Sequence, residues 1–393
     1  MNRMKVTPLT RLMAVLCIVQ PLACLTPPGF RQANTVAAPG GAAPRAPESP
    51  PEKMTELTAW GAVAAMSPGV NIGNTLENTT AWETGWGNPP ITKEFVDSLA
   101  RLGYKTVRLP VAWDTYAFDE RIEADKFRRV SEVVDWITGA GMFCALNIHW
   151  DGGWIDSDKK EKFPKTHATF SPDAERKYRS YWQQIATFFA GKNEKLIFES
   201  LNEETNFSNE GSTAKAYATL TRVNQIFIDV VRKTGGNNAR RLLIVAGYAT
   251  DFEKTCAPAY KLPTDIAPGK LFISVHYYTP YQFCGLTEDA DWGKMMPTWG
   301  TPDDVKQLDQ LFDKMKDFCT RHDIPAFIGE YGVSHKKDPA SRVRWLTAVA
   351  NAALARKMVP VFWDTGNDIS RNAPYAASPD LAEALRNAKP PSP

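Results

Sequence analysis

Apolar, β-branched and aromatic residues collect along this chain in eight short, near-continuous runs: Val70–Leu76, Thr106–Trp113, Phe143–Trp150, Leu196–Glu203, Leu242–Tyr248, Leu271–Tyr278, Ala326–Gly332 and Val359–Thr365. Such runs, lacking a strict in-out alternation, predict strands covered on both faces. Between them the period changes to that of a helix. Thr92–Tyr104 puts Phe95, Leu99 and Leu102 on one face, and Ala124–Gly141 does the same with Phe127, Val130, Val134 and Ile137. Further helices are predicted over Asp173–Gly191, Thr213–Thr234, Asp304–Arg321, Pro339–Met358 and Ser378–Ala388. Several of these stretches end on glycine, as helix C-termini often do. The connection after the fifth run is poorly patterned, and only a short irregular piece is expected around Asp251–Tyr260.

Eight strand–helix units in succession predict an α/β fold with a parallel sheet and right-handed crossovers, and eight strands close into a (β/α)8 TIM barrel. The competing topology, an open doubly wound sheet, would normally carry a Gly-rich phosphate turn after its first strand. Gly69-Val70-Asn71-Ile72-Gly73 is not one. The barrel is the expected fold, over residues 54–389.

The chain ahead of the barrel reads differently. Arg3, Lys5 and Arg11 precede an apolar run from Leu12 to Val19 and small residues through Cys24, the pattern of a secretory signal peptide over residues 1–24. The run is shorter than the about 20 apolar residues a membrane span needs. Leu22-Ala23-Cys24 loosely resembles a bacterial lipoprotein processing site, with Pro21 where such sites usually carry Leu. A lipid anchor at Cys24 therefore stays open beside free release to the periplasm, cell surface or medium. Residues 25–53, rich in Pro, Ala and Gly, are expected to be a semi-extended linker.

Of the 393 residues, 43% are hydrophobic and 23% charged, which is ordinary globular usage. A formal net charge of +2 gives no reason to expect nucleic acid or an anionic membrane as partner. No Cys-x-x-Cys or Cys/His cluster appears, so neither a metal nor a cofactor is expected. Cys256 and Cys284 follow the fifth and sixth strands, whose loops should be neighbours, and in an oxidising compartment they are expected to form a disulfide. Cys144 and Cys319 are expected to be small buried hydrophobes.

The candidate chemistry lies at the strand ends, because a barrel of this kind carries its active site on the C-terminal face. Asn74 and Glu77 close the first strand, Arg108 lies on the second, and His149-Trp150-Asp151 ends the third. Asn202-Glu203-Glu204 ends the fourth, His276-Tyr277-Tyr278 the sixth, Glu330-Tyr331 the seventh and Trp363-Asp364 the eighth. One such histidine alone would be read as a hydrogen-bonded core residue; the whole set on one rim is not. Two carboxylates, an Arg, an Asn and a Trp suit cleavage of a glycosidic bond, in which one carboxylic acid protonates the leaving oxygen while an ionised one attacks. Arg108 is suited to keeping Glu330 ionised, Tyr278 to orienting it, and Trp363 to stacking under a sugar ring. Glu204 is given no role, since neighbouring strand residues point to opposite faces.

At these residues the sequence resembles glycoside hydrolase family 5, the retaining β-glycanases with a (β/α)8 barrel, from about Leu57 to Leu385. The family's ordered pattern is matched by Arg108, His149, Asn202, Glu203, His276, Tyr278, Glu330 and Trp363. The resemblance implies Glu203 as acid/base and Glu330 as nucleophile, with Arg108, His149, Asn202, His276, Tyr278 and Trp363 on the substrate. The segments Asn71–Glu77, Glu83–Pro89, Asn147–Trp154 and His276–Tyr281 resemble the subfamily 4 endoglucanases, which act on β-1,4-glucans and often on xyloglucan and mixed-linkage glucan. Trp150 is a departure, standing where these enzymes commonly carry a second His.

The implied protein is a monomeric endo-β-1,4-glucanase acting on a β-glucan polysaccharide. A xyloglucanase, licheninase or β-mannanase would share the catalytic set, and a non-catalytic carbohydrate-binding barrel is the alternative from another class. Retention requires the two carboxyl groups to stand about 5–5.5 Å apart. Trp82, Trp86, Trp113, Trp154, Trp292 and Trp299 fall in or beside loops after strands, and some of them, Trp86 and Trp154 foremost, are expected to stack sugar rings.

Overall fold

The computed structural model describes residues 50–155, 170–204 and 213–388. The expected signal peptide, Cys24 and nearly all of the linker lie outside the described residues. Glu52, at the linker's end, already donates its backbone N–H to Gly191 O at 2.8 Å.

The elements run in chain order as α1 (Ala59–Met66), β1 (Gly69–Asn71), α2 (Lys93–Arg101), β2 (Thr106–Leu109), a hairpin of β3 (Ala117–Phe118) and β4 (Arg121–Ile122), and α3 (Ala124–Gly139). They continue as β5 (Phe143–Asn147), α4 (Pro172–Phe188), β6 (Leu196–Glu199), α5 (Thr213–Lys233), β7 (Leu243–Ala246), α6 (Phe252–Thr255) and β8 (Leu271–Tyr277). The chain closes with α7 (Tyr281–Cys284), α8 (Pro302–His322), β9 (Ala326–Tyr331), α9 (Pro339–Ala355), β10 (Val359–Phe362) and α10 (Pro379–Asn387). β1, β10, β9, β8, β7, β6, β5 and β2 form a closed parallel barrel in that order, sealed where Gly69 pairs with Val361. The expected (β/α)8 fold is the one observed, and no helix among the described residues is long and apolar enough to cross a membrane.

The strands alternate between two environments. Cys144, Leu146, Phe198, Val245, Ile273, Val275 and Ile328 face the helices and join the main core. Their neighbours Phe143, Ala145, Ile197, Ile244, Phe272, Phe327 and Val361 point into the barrel and form a separate apolar cluster with α1. α1 was not expected. Its sequence AWGAVAAM is apolar almost all round, so it shows no amphipathic period; it plugs the lower end of the barrel through Ala59, Ala62, Val63 and Met66. Thr58 caps it by accepting from Gly61 N at 3.0 Å.

The barrel strands stop one to five residues short of the apolar runs, so His149, Asn202, Glu203 and Trp363 stand just past their strands, on loops. The expected disulfide is not formed. None of Cys144, Cys256, Cys284 and Cys319 is in a disulfide. Cys256 turns its Sγ toward Lys314 O on α8, 3.7 Å away, while Cys284 is buried at the end of α7. Neighbouring loops do not by themselves aim side chains at each other. Trp113 and Trp299 are also corrections: both are buried, and Trp113 donates Nε1 to Asn147 O and packs on Phe127.

Candidate active site

The inward parity of the strands changes character toward the C-terminal rim. Two residues above Ala145 stands Asn147, above Ile197 Glu199, and above Phe272 Ser274 then His276. Arg108 and Asn71 enter the same layer from β2 and β1. Arg108 is fully buried and links all of it: Nε to Glu199 at 2.6 Å, Nη1 to Glu330 at 2.8 Å and Asn71 at 3.1 Å, and Nη2 to Asn202 at 2.8 Å. Glu199 also accepts from Asn147 at 3.1 Å and Ser274 at 2.8 Å. Burial works against the Arg108 charge, but Glu199 and Glu330 more than offset it and hold the guanidinium firmly protonated.

β9 reaches this layer through an irregularity. Val275 pairs with Ile328 but His276 with Glu330, so Gly329 is the extra residue. Its carbonyl accepts from the Asn71 amide at 2.8 Å, and a Cβ there would stand 3.0 Å from His276 Nε2. The bulge thus turns Glu330 inward, where parity alone would leave it facing the helices, and any side chain at 329 would crowd His276 and Ser274.

Glu330 is then held on both oxygens, by Arg108 and by Tyr278, whose hydroxyl donates at 2.9 Å. Glu203 stands across from it, its carboxylate 2.7 Å from His276 Nδ1, which is itself 3.6 Å from Glu330. Donor atoms of Glu203, His276 and Glu330 all lie within 4.8 Å of one another. That spacing also suits a metal, but the network already gives Glu330 to Arg108 and Tyr278, and Glu203 to His276. Burial pushes the Glu330 carboxyl above the ordinary carboxylate range; His276 pulls it back, Glu203 adds repulsion, and Arg108 and Tyr278 favour the charged form. Arg108 is therefore opposed by burial in keeping Glu330 ionised. His149, buried near Arg108 and His276, has its pKa driven well down, chiefly by burial, so its ring is neutral.

Trp363 and the His149 ring lie parallel, 3° apart with centroids separated by 5.9 Å. A Cβ on Gly73 would meet Asp364 O at 2.8 Å and the Trp363 ring at 3.1 Å, so the β1 loop passes close only as glycine. Arg371 fixes this crossing by donating to Gly73 O and Asp364 O while pairing with the Asp364 carboxylate at 2.7 Å. Of the other aromatics, Trp86 and Trp292 are 42% and 41% exposed. Trp154 is half-buried, edge-on to Tyr181 with Lys177 Nζ 4.7 Å from its ring. Trp82 packs on Tyr116, and Trp150 is half-buried at the turn into Asp151. Asp151 sews two rim loops together by accepting from Asp114 N, Thr115 N and the Thr115 hydroxyl.

All eight residues of the expected pattern meet at one rim. Sequence reasoning missed Asn71, Asn147, Glu199 and Ser274, each a polar residue inside an apolar strand; the period of two shared with Arg108 and His276 is the signal that marks them.

The family model for Cellulase (glycosyl hydrolase family 5) matches residues 68–369. The chain belongs to glycoside hydrolase family 5. It is 35% identical over 341 residues to Endoglucanase A of Paenibacillus barcinonensis, covering 80% of this chain and 84% of that protein. A xyloglucan-specific endo-beta-1,4-glucanase from Bacteroides ovatus is 29% identical, over 80% of this chain and 66% of its own length. Among solved structures, a GH5-4 broad specificity endoglucanase from an uncultured bovine rumen ciliate superposes with a TM-score of 0.74 at 34% identity, covering 84% of this chain and 98% of that one. This family 5 barrel is a glycoside hydrolase whose structural neighbours are subfamily 4 endoglucanases.

Proposed function

We propose that this enzyme cleaves internal β-1,4-glucosidic bonds of soluble and cellulose-type β-glucans with retention, outside the cytoplasm, as a monomer. The observation that carries the reading is the approach of Glu203 and Glu330, with oxygens within 4.8 Å across the rim, the short separation of retaining enzymes. Inversion needs room for a water between the carboxyls.

Glu330, gripped by Arg108 and Tyr278, attacks the anomeric carbon as a carboxylate while Glu203 gives its proton to the departing glycosidic oxygen. A protonated Glu203 also removes the repulsion that helps raise the Glu330 pKa. The product of this step is a glycosyl ester on Glu330 and a free sugar hydroxyl. Glu203, now a carboxylate, takes a proton from water, whose oxygen attacks the anomeric carbon and releases Glu330. The two inversions give retention. Trp363 serves as the floor under the sugar at the reacting bond. Asn202, tied to Arg108 through its carbonyl oxygen, offers its amide N–H groups to a sugar hydroxyl, and neutral His149 lines the same pocket. Exposed Trp86 extends the cleft. A basic, short apolar leader supports export.

Glu330→Gln is expected to abolish turnover of β-glucan and leave binding largely intact, and proton NMR of the first product formed by the native enzyme should show the β anomer. An α product, or near-native rates in the variant, would overturn the assignment. A panel of carboxymethyl-cellulose, xyloglucan, lichenan and mannan is expected to rank the β-1,4-glucans above mannan.

A further inference from the structure

The loop after β9 carries a lysine that the mechanism does not use. Lys337 is only 4% exposed, and its ammonium donates to three backbone carbonyls: Met296 at 2.9 Å, Gln282 at 3.1 Å and Leu286. All three of its N–H bonds are thereby occupied. The Phe283 ring lies 5.9 Å from Nζ, within cation–π range. Burying an ammonium among neutral carbonyls is costly, and burial lowers the Lys337 pKa. Such a charge is accounted for if it gathers segments of chain that few backbone bonds join, much as a bound cation would.

Its acceptors all lie in loop 281–297, which leaves β8 just past Tyr278. The loop has little regular structure of its own: one turn of helix in α7 and an isolated bridge between Ala290 and Gly293. Two further ties, Ser334 N to Cys284 O at 2.9 Å and Asp338 N to Pro297 O at 3.3 Å, join it to the same loop that carries Lys337. Among its exposed charged residues the loop carries a pair of rings, Tyr281 half-buried and Trp292 exposed. Tyr281 and Trp292 lie 6.0 Å apart at 43°, and Trp292 is 41% exposed. A Cβ at Gly285 would fall 2.2 Å from the Tyr281 ring, so the loop backbone packs directly against it.

Position says which part of a substrate this pair would meet. The acid must stand on the leaving-group side of the bond. Glu203 and His276 come from the arc β6–β8, whereas Trp363 comes from β10 beside β1. Loop 281–297 continues the acid's arc.

We propose that Lys337 is a positioning residue that holds the Tyr281–Trp292 pair as a platform for the sugar on the leaving-group side of the cleft. The inference rests on the β-glucanase reading. Lys337 touches no substrate and acts through the loop.

The test uses Lys337→Met, which removes the charge at similar length, and Trp292→Ala, a surface change that leaves the core intact. Each is assayed on cellotetraose and on an aryl β-cellobioside, whose leaving group carries no sugar. In both variants KM for cellotetraose is expected to rise about fivefold to tenfold with kcat within about twofold, and the constants for the aryl glycoside to stay within about twofold. Independently of activity, tryptic cleavage after Lys294, whose side chain is 86% exposed, should quicken about fivefold or more in Lys337→Met. Equal losses on both substrates, an unchanged KM for cellotetraose in either variant, or unchanged cleavage at Lys294 would overturn the proposal. So would failure of both Lys337→Met and Lys337→Gln to fold, which would assign the lysine to the fold as a whole. A native enzyme inactive on both glycosides would defeat the β-glucanase reading, while the tryptic cleavage would still decide whether Lys337 holds the loop.

Discussion

At its lower end the barrel interior is hydrocarbon, where Phe143, Ala145, Ile197, Ile244, Phe272, Phe327 and Val361 meet the apolar face of α1. One inward position higher on β5, β6 and β8, and on neighbouring β2, the interior is Asn147, Glu199, Ser274 and Arg108, joined by hydrogen bonds and an ion pair as fully buried as the apolar layer below. The lower layer stabilises through area removed from water and is tolerant of shape. The upper layer costs desolvation and repays it only while every partner is present. What it gains is position: Asn71 from β1, Glu199 from β6 and Asn202 just past it meet one guanidinium, which in turn grips Glu330 on β9. The barrel therefore divides its interior into a half that holds the fold and a half that holds the chemistry.

The sharpest way to break this division is at its centre. Arg108→Met keeps the volume but leaves Glu199 and Glu330 buried without their counter-charge, which should cost about 3–5 kcal/mol of stability. It also frees the nucleophile's Oε1, so kcat should fall about a thousandfold or more, since groups acting as a unit lose activity together. Urea unfolding and single-turnover kinetics would check the two losses. A variant that loses stability but keeps its rate would mean that Arg108 belongs functionally to the lower layer.

Met66→Ala probes the other half. Met66 is fully buried in the plug beneath the strands. Its truncation should cost about 2–5 kcal/mol through lost contacts and a cavity. At temperatures where the variant stays folded, kcat and KM should match the native enzyme. A change in kcat larger than about threefold would show that packing at the bottom is felt at the rim.

The same contrast explains what the sequence shows on its surface. Eight apolar runs are legible because both faces of these strands are covered, and the rim residues are legible because they stand where the runs stop. Glu330 is expected on the rim for an incomplete reason. It lies on β9 with the wrong parity, and only the bulge at Gly329 brings it inward, a feature no pattern of hydrophobicity signals. Asn147, Glu199 and Ser274 were hidden because each looks like an isolated flaw in an apolar run; they make sense only together, as one layer. α1 escaped because an all-apolar plug has no polar face to set a period. The hairpin β3–β4 escaped because its turn residues Asp119 and Glu120 both take positive φ without a glycine to mark them. The unbridged Cys256 and Cys284 teach the same lesson from the opposite side, since adjacent loops fix which backbones meet and not which side chains do.

The smallest expected effect lies at the edge of the polar half, where Glu77 anchors the β1 loop by accepting from Thr75 N at 2.9 Å and from Asn74 N. Burial lifts its pKa from 4.5 to about 7, against the pull of those backbone donors and of Arg371. Because the folded state keeps this proton longer than the unfolded chain, the stabilisation is complete below about pH 4.5 and is lost as pH rises toward 7. Over that window the carboxyl should withdraw about 3 kcal/mol from the native state, since each tenfold difference in proton affinity between folded and unfolded chain is worth roughly 1.4 kcal/mol. Glu77→Gln cannot ionise, so its stability relative to the native enzyme should climb across the same interval. Other groups, among them Asp151, whose pKa burial also raises to about 7, remain in both proteins and cancel in the difference. The measurement is urea unfolding of the two proteins at half-unit steps from pH 4 to 8. Parallel curves would show that the Glu77 carboxylate is already satisfied by Asn74, Thr75 and Arg371 when charged, and that the polar half of this barrel extends its balance of burial and hydrogen bonds out to the loop.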